Sequence, residues 1–434
     1  MKRNFYKGDR IVTGKKIYNL VKDIFPIYRS ITGEGVRKTL QRLKVECPAL
    51  QIYEIPSGTK VFDWEVPLEW NISEAYIEDE QGNRIIDFLN NNLHVVGYSY
   101  PIDKWVSREE LEQYLFTEKK QPDVIPYVTS YYKERSGFCI SENQKNSLVD
   151  GQYHMYIDSK FTKGSMTWGE IIIPGETKEE ICFSTNICHP AMANNEASGP
   201  CVLIFLANWL KIIRRRYTYR LLFLPETIGS IAYISQHLED MKKNIKAGFV
   251  ITCVGDNYNY SYVESRKRNT LADRVMSNVL KFFAPNYKSY SFLYRGSDER
   301  QYCSPGVDLP FCVFSRSKFH EYEEYHTSAD DLSFVSPEGL ENSLLVLQKV
   351  VQALEYNYNY QVKVCCEPQL GKRGLYPTVS HKDTYSDVKA IQNFLAYADG
   401  ENDLLAISEN INVSVEKLIV IIDKLLKERL IQVV

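Results

Sequence analysis

The chain has 434 residues, of which 44% are hydrophobic and 25% charged, the balance of a soluble globular protein with ample core and two or three domains. A formal net charge of −3 and a pI near 6.2 argue against a bulk electrostatic preference for nucleic acid or acidic membranes. The longest apolar run, near residues 202–213, is too short and interrupted to span a bilayer, and the basic start Met1-Lys-Arg has no apolar core behind it, so it is not read as a signal peptide.

The ten cysteines lie mostly inside apolar stretches, form no CxxC pair, and include the adjacent Cys365-Cys366, a poor geometry for a mutual bridge. Reduced thiols in the cytoplasm are therefore expected. The 31 tyrosines read equally as genomic bias or as a sugar-stacking surface.

In chain order, residues 15–22 and 35–47 carry helical spacing, with Gly33 and Gly35 punctuating between them, and residues 50–55 alternate like a strand. Arg29, Ser30 and Thr32 sit in the intervening loop. Residues 56–163 differ in texture, with short strands expected at 75–77, 84–87, 94–99 and 125–127, and a helix only at 109–115. This reads as a β-rich insertion, in which His94 and His154 are read as ordinary satisfied histidines.

From residue 165 the texture becomes strand and helix in alternation. Strands are expected at 167–174, 181–189, 220–226 and 248–254, with a turn and strand at 305–314. Helices are expected at 200–213, 230–238, Leu271–Phe283 and Pro337–Tyr356. That alternation predicts a mainly parallel sheet flanked by helices. After a linker at 365–374, three helices (387–397, 403–409 and 414–429) and a short strand (430–434) have the order of a winged helix-turn-helix. From Glu401 onward this segment has six acids against four bases, which suits a packing or oligomerisation role better than phosphate contact.

Chemistry concentrates at strand ends. Ile181-Cys-Phe-Ser-Thr-Asn-Ile-Cys-His189 is an apolar run ending in a histidine, followed by the small-residue loop Asn194-Asn195-Glu196-Ala197-Ser198-Gly199. Arg220-Leu-Leu-Phe-Leu-Pro-Glu226 is a second run, ending in a carboxylate, and Tyr325-His326-Thr327 follows an acidic aromatic loop. Ligands of open α/β sheets bind outside the strands' carboxyl ends. Two histidines and a glutamate converging there suit a metal ion and a general base.

These motifs resemble zinc aminopeptidases of the bacterial leucyl aminopeptidase and glutaminyl cyclase type. More closely the chain is similar to the bacterial branch labelled polysaccharide biosynthesis proteins with an aminopeptidase-like domain. The resemblance rests on Arg29–Gly35, Ser57–Trp64, Cys188-His189-Pro190, Pro225–Ser230, Gly296–Pro305 and Tyr325-His326-Thr327, and runs over nearly the whole chain. It implies an aminopeptidase-like α/β domain at 1–55 and 164–364, the insertion at 56–163 and a winged-helix-like domain at 365–434.

The departures from that family are equally informative. Its bridging aspartate aligns with Asn195, the second glutamate of its Glu-Glu pair with Thr227, and a strand-end aspartate with Thr252. Two zinc ions would bring four positive charges with little to offset them. The resemblance therefore implies one zinc ion at most, held by His189, His326 and Asn195, with Glu196 or Glu226 as further donors. An amide oxygen is a poorer zinc ligand than a carboxylate.

The expected activity is a zinc-dependent, aminopeptidase-like hydrolysis of an amide bond in a small peptide or amino-sugar-like substrate. Glu226 is the expected general base. Asp298, Arg300, Tyr302, Glu324 and Tyr325 are candidate substrate contacts, Asp298 and Arg300 reading equally as a turn residue and its ion-pair partner. The rival readings are a catalytically degenerate scaffold of a surface-polysaccharide pathway and a transcriptional regulator using the terminal domain.

Overall fold

A computed structural model describes residues 10–131, 133–375 and 382–434. The described residues up to Arg268, together with Lys288–Leu344, make one compact unit. Asn269–Tyr287 with the residues from Leu345 onward make a second.

The first unit is built on an eight-stranded mixed sheet. Its spatial order is Gln51–Pro56, Ser165–Ile173, Thr218–Leu224, Glu180–Asn186, Ile245–Ile251, Phe311–Ser315, Ser261–Val263 and Lys288–Tyr290. The four strands from Thr218–Leu224 to Phe311–Ser315 run parallel, whereas Gln51–Pro56, Ser165–Ile173 and Ser261–Val263 pair antiparallel with their inner neighbours. The expected parallel sheet is thus its centre, with antiparallel strands added on either side. Glu180–Asn186 is buried at every position, as a strand covered on both faces must be. Phe183 stacks on Phe249 of the next strand at 5.1 Å.

The helix Ser198–Ile212 starts where two strands end. A side chain at Gly199 would come within 2.7 Å of the Ile251 carbonyl, so only glycine allows this close approach. A buried ion network ties the neighbouring strands: Arg220 donates Nη1 to Glu170 at 2.6 Å and Nε to Glu180 at 2.7 Å.

Residues 56–163 form a four-stranded antiparallel sheet in the order Arg84–Asp87, Glu69–Asp79, Gln152–Thr162, Ile102–Ser107. One face packs Ala75, Ile77, Met155 and Ile157 into a core. Three local expectations are corrected here. Residues 94–99 are not a strand, because Asn91 caps a 3-10 turn at Asn92–His94. The helix at 109–115 is only Arg108–Leu111, continued by the 3-10 turn Glu112–Tyr114. Residues 125–127 form only an isolated bridge, between Pro126 and Thr327. His94 bonds the Cys139 carbonyl at 2.8 Å, and His154 lies between Glu78 and Asp103.

In the second unit, Asn359–Val362 pairs antiparallel with Asp399–Asp403 and with Ile431–Val433. The helices Lys382–Tyr397, Leu404–Ile411 and Val415–Lys427 accompany this small sheet. Arg274 grips both oxygens of Asp403 at 2.7 and 2.8 Å, and Asp403 caps the helix Leu404–Ile411 through the Ala406 N–H.

Candidate metal and catalytic site

The site forms in the first unit, where the loops after the parallel strands meet. After the strand Glu180–Asn186 the chain reaches His189, whose carbonyl accepts the Nε–H of the buried Arg29 at 3.1 Å. The next turn, Ala193–Ala197, is π-helical, a distortion found often at functional sites. It is pinned from outside its own segment. The Asp330 carboxylate accepts the N–H groups of Asn194 at 2.6 Å and Asn195 at 2.9 Å, and Asn194 Oδ1 accepts from the N–H groups of Gly255 and Asp256.

This turn swings Glu196 back under His189. The Glu196 carboxylate accepts the N–H groups of Cys188 and His189 and takes the imidazole Nδ1 at 2.9 Å. The hydrogen bond assigns the proton to Nδ1, leaving Nε2 to face the cleft. There it meets Glu226, whose Oε2 is 3.7 Å away. His326 lies beside this pair, its ring centroid 5.3 Å from that of His189. Tyr127 touches both rings, at 5.0 and 5.1 Å, and donates its N–H to the His326 carbonyl. Tyr325 stacks on His326 at 3.9 Å.

The electrostatics differ between the two histidines. Burial disfavours charge on His189, but Glu196 and Glu226 overcome it and hold the imidazole above its usual value. Burial, aided by His189, pushes His326 down to about 2, so it stays neutral, the form that binds metals. Burial raises the Glu226 carboxyl above the ordinary range. Burial and the neighbouring Glu226 push Asp298 up to about 7.

Cys188 Sγ, His189 Nδ1 and Glu196 lie within 4.8 Å of one another, a spacing that would suit a metal ion. Each of these groups already has a partner. Glu196 already serves three donors, Cys188 Sγ accepts the Glu226 N–H, and burial holds that thiol protonated. Glu196, expected as a further donor, lies behind His189 and orients its ring. Asn195 Oδ1 is different, being buried with no hydrogen-bond partner among the described residues. Its Nδ2 lies on Cys253, which Tyr322 also contacts, and Tyr322 packs against Tyr325. The unpartnered amide oxygen of Asn195, the cleft-facing Nε2 of His189 and the neutral His326 are donors of a kind that divalent ions accept.

Four non-glycine residues around the site have left-handed backbone: Ala191, Thr227, Cys253 and His326, with φ of 44, 65, 54 and 58°. Such strain clusters where side-chain placement matters more than local stability.

The expected substrate contacts separate into two groups. Asp298 accepts the Thr227 N–H at 2.8 Å and the Ser230 hydroxyl at 2.9 Å, and Arg300 donates to the Thr227 hydroxyl. Tyr325 lies on His326. Glu324 is half-buried, and its carboxylate pairs with the Tyr258 hydroxyl. Tyr302 is corrected: it is fully buried, stacked on Phe311 at 4.0 Å and bonded through its hydroxyl to Ser184. It is a core side chain and touches nothing in the cleft. Tyr127 and Asp330 were not foreseen as site residues. Asp330 follows shortly after His326 in the sequence, but only the fold brings its carboxylate to Asn194 and Asn195.

Residues 18–357 match the family model described as "Domain of unknown function (DUF4910)". The chain belongs to this family. Residues 359–433 match a second model, a winged helix-turn-helix, in line with the reading of the C-terminal segment. A Clostridium acetobutylicum relative is 42% identical over 433 residues, covering 99% of both chains, and its name joins polysaccharide biosynthesis to an aminopeptidase-like domain. A crystal structure from C. acetobutylicum, described as a "putative peptidase", is 42% identical, covers 98% of each chain and superposes with a TM-score of 0.92. A zinc aminopeptidase from Bacillus subtilis shares the fold at 13% identity, with a TM-score of 0.58 over 79% of this chain and 95% of that one. A peptidase M28 precursor from Shewanella amazonensis does so at 10% identity and 0.54, over 83% and 98%. The family member described here therefore has the aminopeptidase-like fold expected from its motifs. Among the described residues no helix is long and apolar enough to cross a membrane.

Proposed function

We propose that this protein is a single-zinc amide hydrolase of aminopeptidase type, acting on a small peptide or amino-sugar-like amide. The observation that carries the reading is the 3.7 Å approach of Glu226 Oε2 to the cleft-facing Nε2 of His189, beside a neutral His326. His189, His326 and Asn195 would hold the ion. When bound, zinc supplies Lewis acidity to the scissile carbonyl and lowers the pKa of water. The chain's own work is proton handling and positioning. Glu226 accepts a proton from the attacking water and delivers it to the nitrogen of the departing amine. Its burial suits that task, because a carboxylate raised above its ordinary range both takes and returns a proton more readily near neutral pH.

The test is a screen of aminoacyl and amino-sugar amides with purified, zinc-supplemented protein. Glu226→Gln is expected to lower hydrolysis by about 10²- to 10⁴-fold while zinc binding persists. Hydrolysis unchanged in that variant refutes the assignment.

A second reading has specific support. Thr227 and Thr252 put hydroxyls where the resembling enzymes have carboxylates, and both hydroxyls are engaged, by Arg300 and by the Asn195 carbonyl. A protein that kept the cleft as a glycan-pathway binding surface would look the same at these positions. Absence of metal and of hydrolysis in both the native chain and Asn195→Asp would favour it.

The ten cysteines form no disulfide among the described residues and eight of them are buried, which suits a cytoplasmic protein. The acidic balance from Glu401 onward favours packing or self-association over DNA binding, so a gel shift against the protein's own promoter DNA at moderate salt should be negative.

A further inference from the structure

Arg300 sits on the short helix Glu299–Tyr302 at the edge of the cleft. Its Nη2 donates to the Thr227 hydroxyl, while its Nε is buried with no hydrogen-bond partner among the described residues. It takes part in none of the ion pairs among those residues. Two other arginines of this unit pair with acids, Arg220 with Glu170 and Glu180 and Arg37 with Glu34, Glu54 and Glu69, and the buried Arg29, which makes no ion pair among the described residues, donates instead to the carbonyls of His189, Ile24 and Ile27. A buried guanidinium nitrogen without a partner is costly unless one arrives later.

The nearby acids do not fill that role. Asp298 commits Oδ1 to the Thr227 N–H and the Ser230 hydroxyl, and its Oδ2 is itself buried without a partner. Glu226 faces His189. Arg300 nevertheless acts electrostatically on Glu226, Asp298 and Tyr325, which places its charge among the side chains that surround the reacting centre. A planar, forked cation with free donors matches a carboxylate in two-point fashion. The neighbouring Glu226 and Asp298 make a dianion such as phosphate less favourable here than a single negative charge.

We propose that Arg300 is an anion-recognition residue, and that the amide substrate carries a carboxylate next to its scissile bond. This rests on the hydrolase reading of the site and narrows its substrate class to acidic amides, such as peptides cut beside a free carboxyl terminus or amides of a carboxylated sugar.

The test is calorimetric titration of the full chain, as purified, with N-acetylglycine and separately with its carboxamide. The native protein is expected to prefer the carboxylate by roughly tenfold or more, the scale of one charge-assisted contact. Arg300→Gln should lose the preference, and Arg300→Lys should keep part of it, retaining the charge without the fork. Melting curves of both variants establish that they fold, and the lysine variant carries the test if the glutamine variant does not. Equal binding of the two probes, no binding of either, or a preference that survives in the folded variants overturns the proposal. Hydrolysis is scored separately. A carboxylate preference without any hydrolysis would sink the enzyme reading alone, whereas hydrolysis of neutral and acidic amides with equal KM would sink the anion site alone.

Discussion

Glu196 takes the Nδ1–H of His189 at 2.9 Å, with both side chains buried. The contact fixes the ring's tautomer and its angle, and the same carboxylate holds the two N–H groups of the turn that carries the ring. A carboxylate behind an imidazole raises its basicity toward a metal on the other side. Glu196→Gln should therefore weaken zinc binding by about 10- to 100-fold with little change in fold, read by chelator competition. Unchanged affinity would mean that His189 needs no such support.

Asn195 offers the complementary change. Its Oδ1 is an unpaired neutral oxygen in a buried site. Asn195→Asp should raise zinc affinity by roughly tenfold, since an anionic oxygen is the better donor. A fall or no change in affinity would remove Asn195 from the ligand set.

Asp330 is a positioning residue for both. Asp330→Ala leaves the N–H groups of Asn194 and Asn195 without acceptors. Urea unfolding should show a loss of about 3 kcal/mol, and zinc affinity should fall with it. Full stability together with full zinc binding would contradict the pinning role.

Away from the site, His154 gives the protein a pH-dependent element. Burial works against its charge, but the hydrogen bonds it donates to Asp103 and Glu78 outweigh it and raise the imidazole above its usual value. The folded state therefore holds this proton more tightly than the unfolded chain. The resulting stability is complete below about pH 6.5 and is lost as pH rises through the raised folded value. The difference in melting temperature between the native chain and His154→Gln should be larger at pH 6 than at pH 9. The reverse order would mean the pair is not formed.

His189, Glu226 and His326 could be found in the sequence because each stands at a strand end or in a short motif whose residue types already imply the chemistry. The parallel centre of the sheet was visible for a similar reason, since fully buried strands such as Glu180–Asn186 are continuous apolar runs. Ser261–Val263 and Lys288–Tyr290 are too short to carry a period, and residues 125–127 looked like a strand because their alternation is real but their partner is a loop. Tyr127 reaches the histidines only because that segment bridges to Thr327, a contact about two hundred residues apart that no local pattern encodes. Tyr302 misled for the opposite reason. It is two residues from Arg300 on one helical turn, so the two side chains point in different directions, one to the cleft and one to Phe311.

Elemental analysis of protein purified without chelator and then supplemented with zinc tests the single-ion site most directly. His189, His326 and Asn195 as ligands predict about one zinc per chain, falling in His189→Ala. No bound zinc after supplementation, or the same zinc content when His189 is removed, would contradict it.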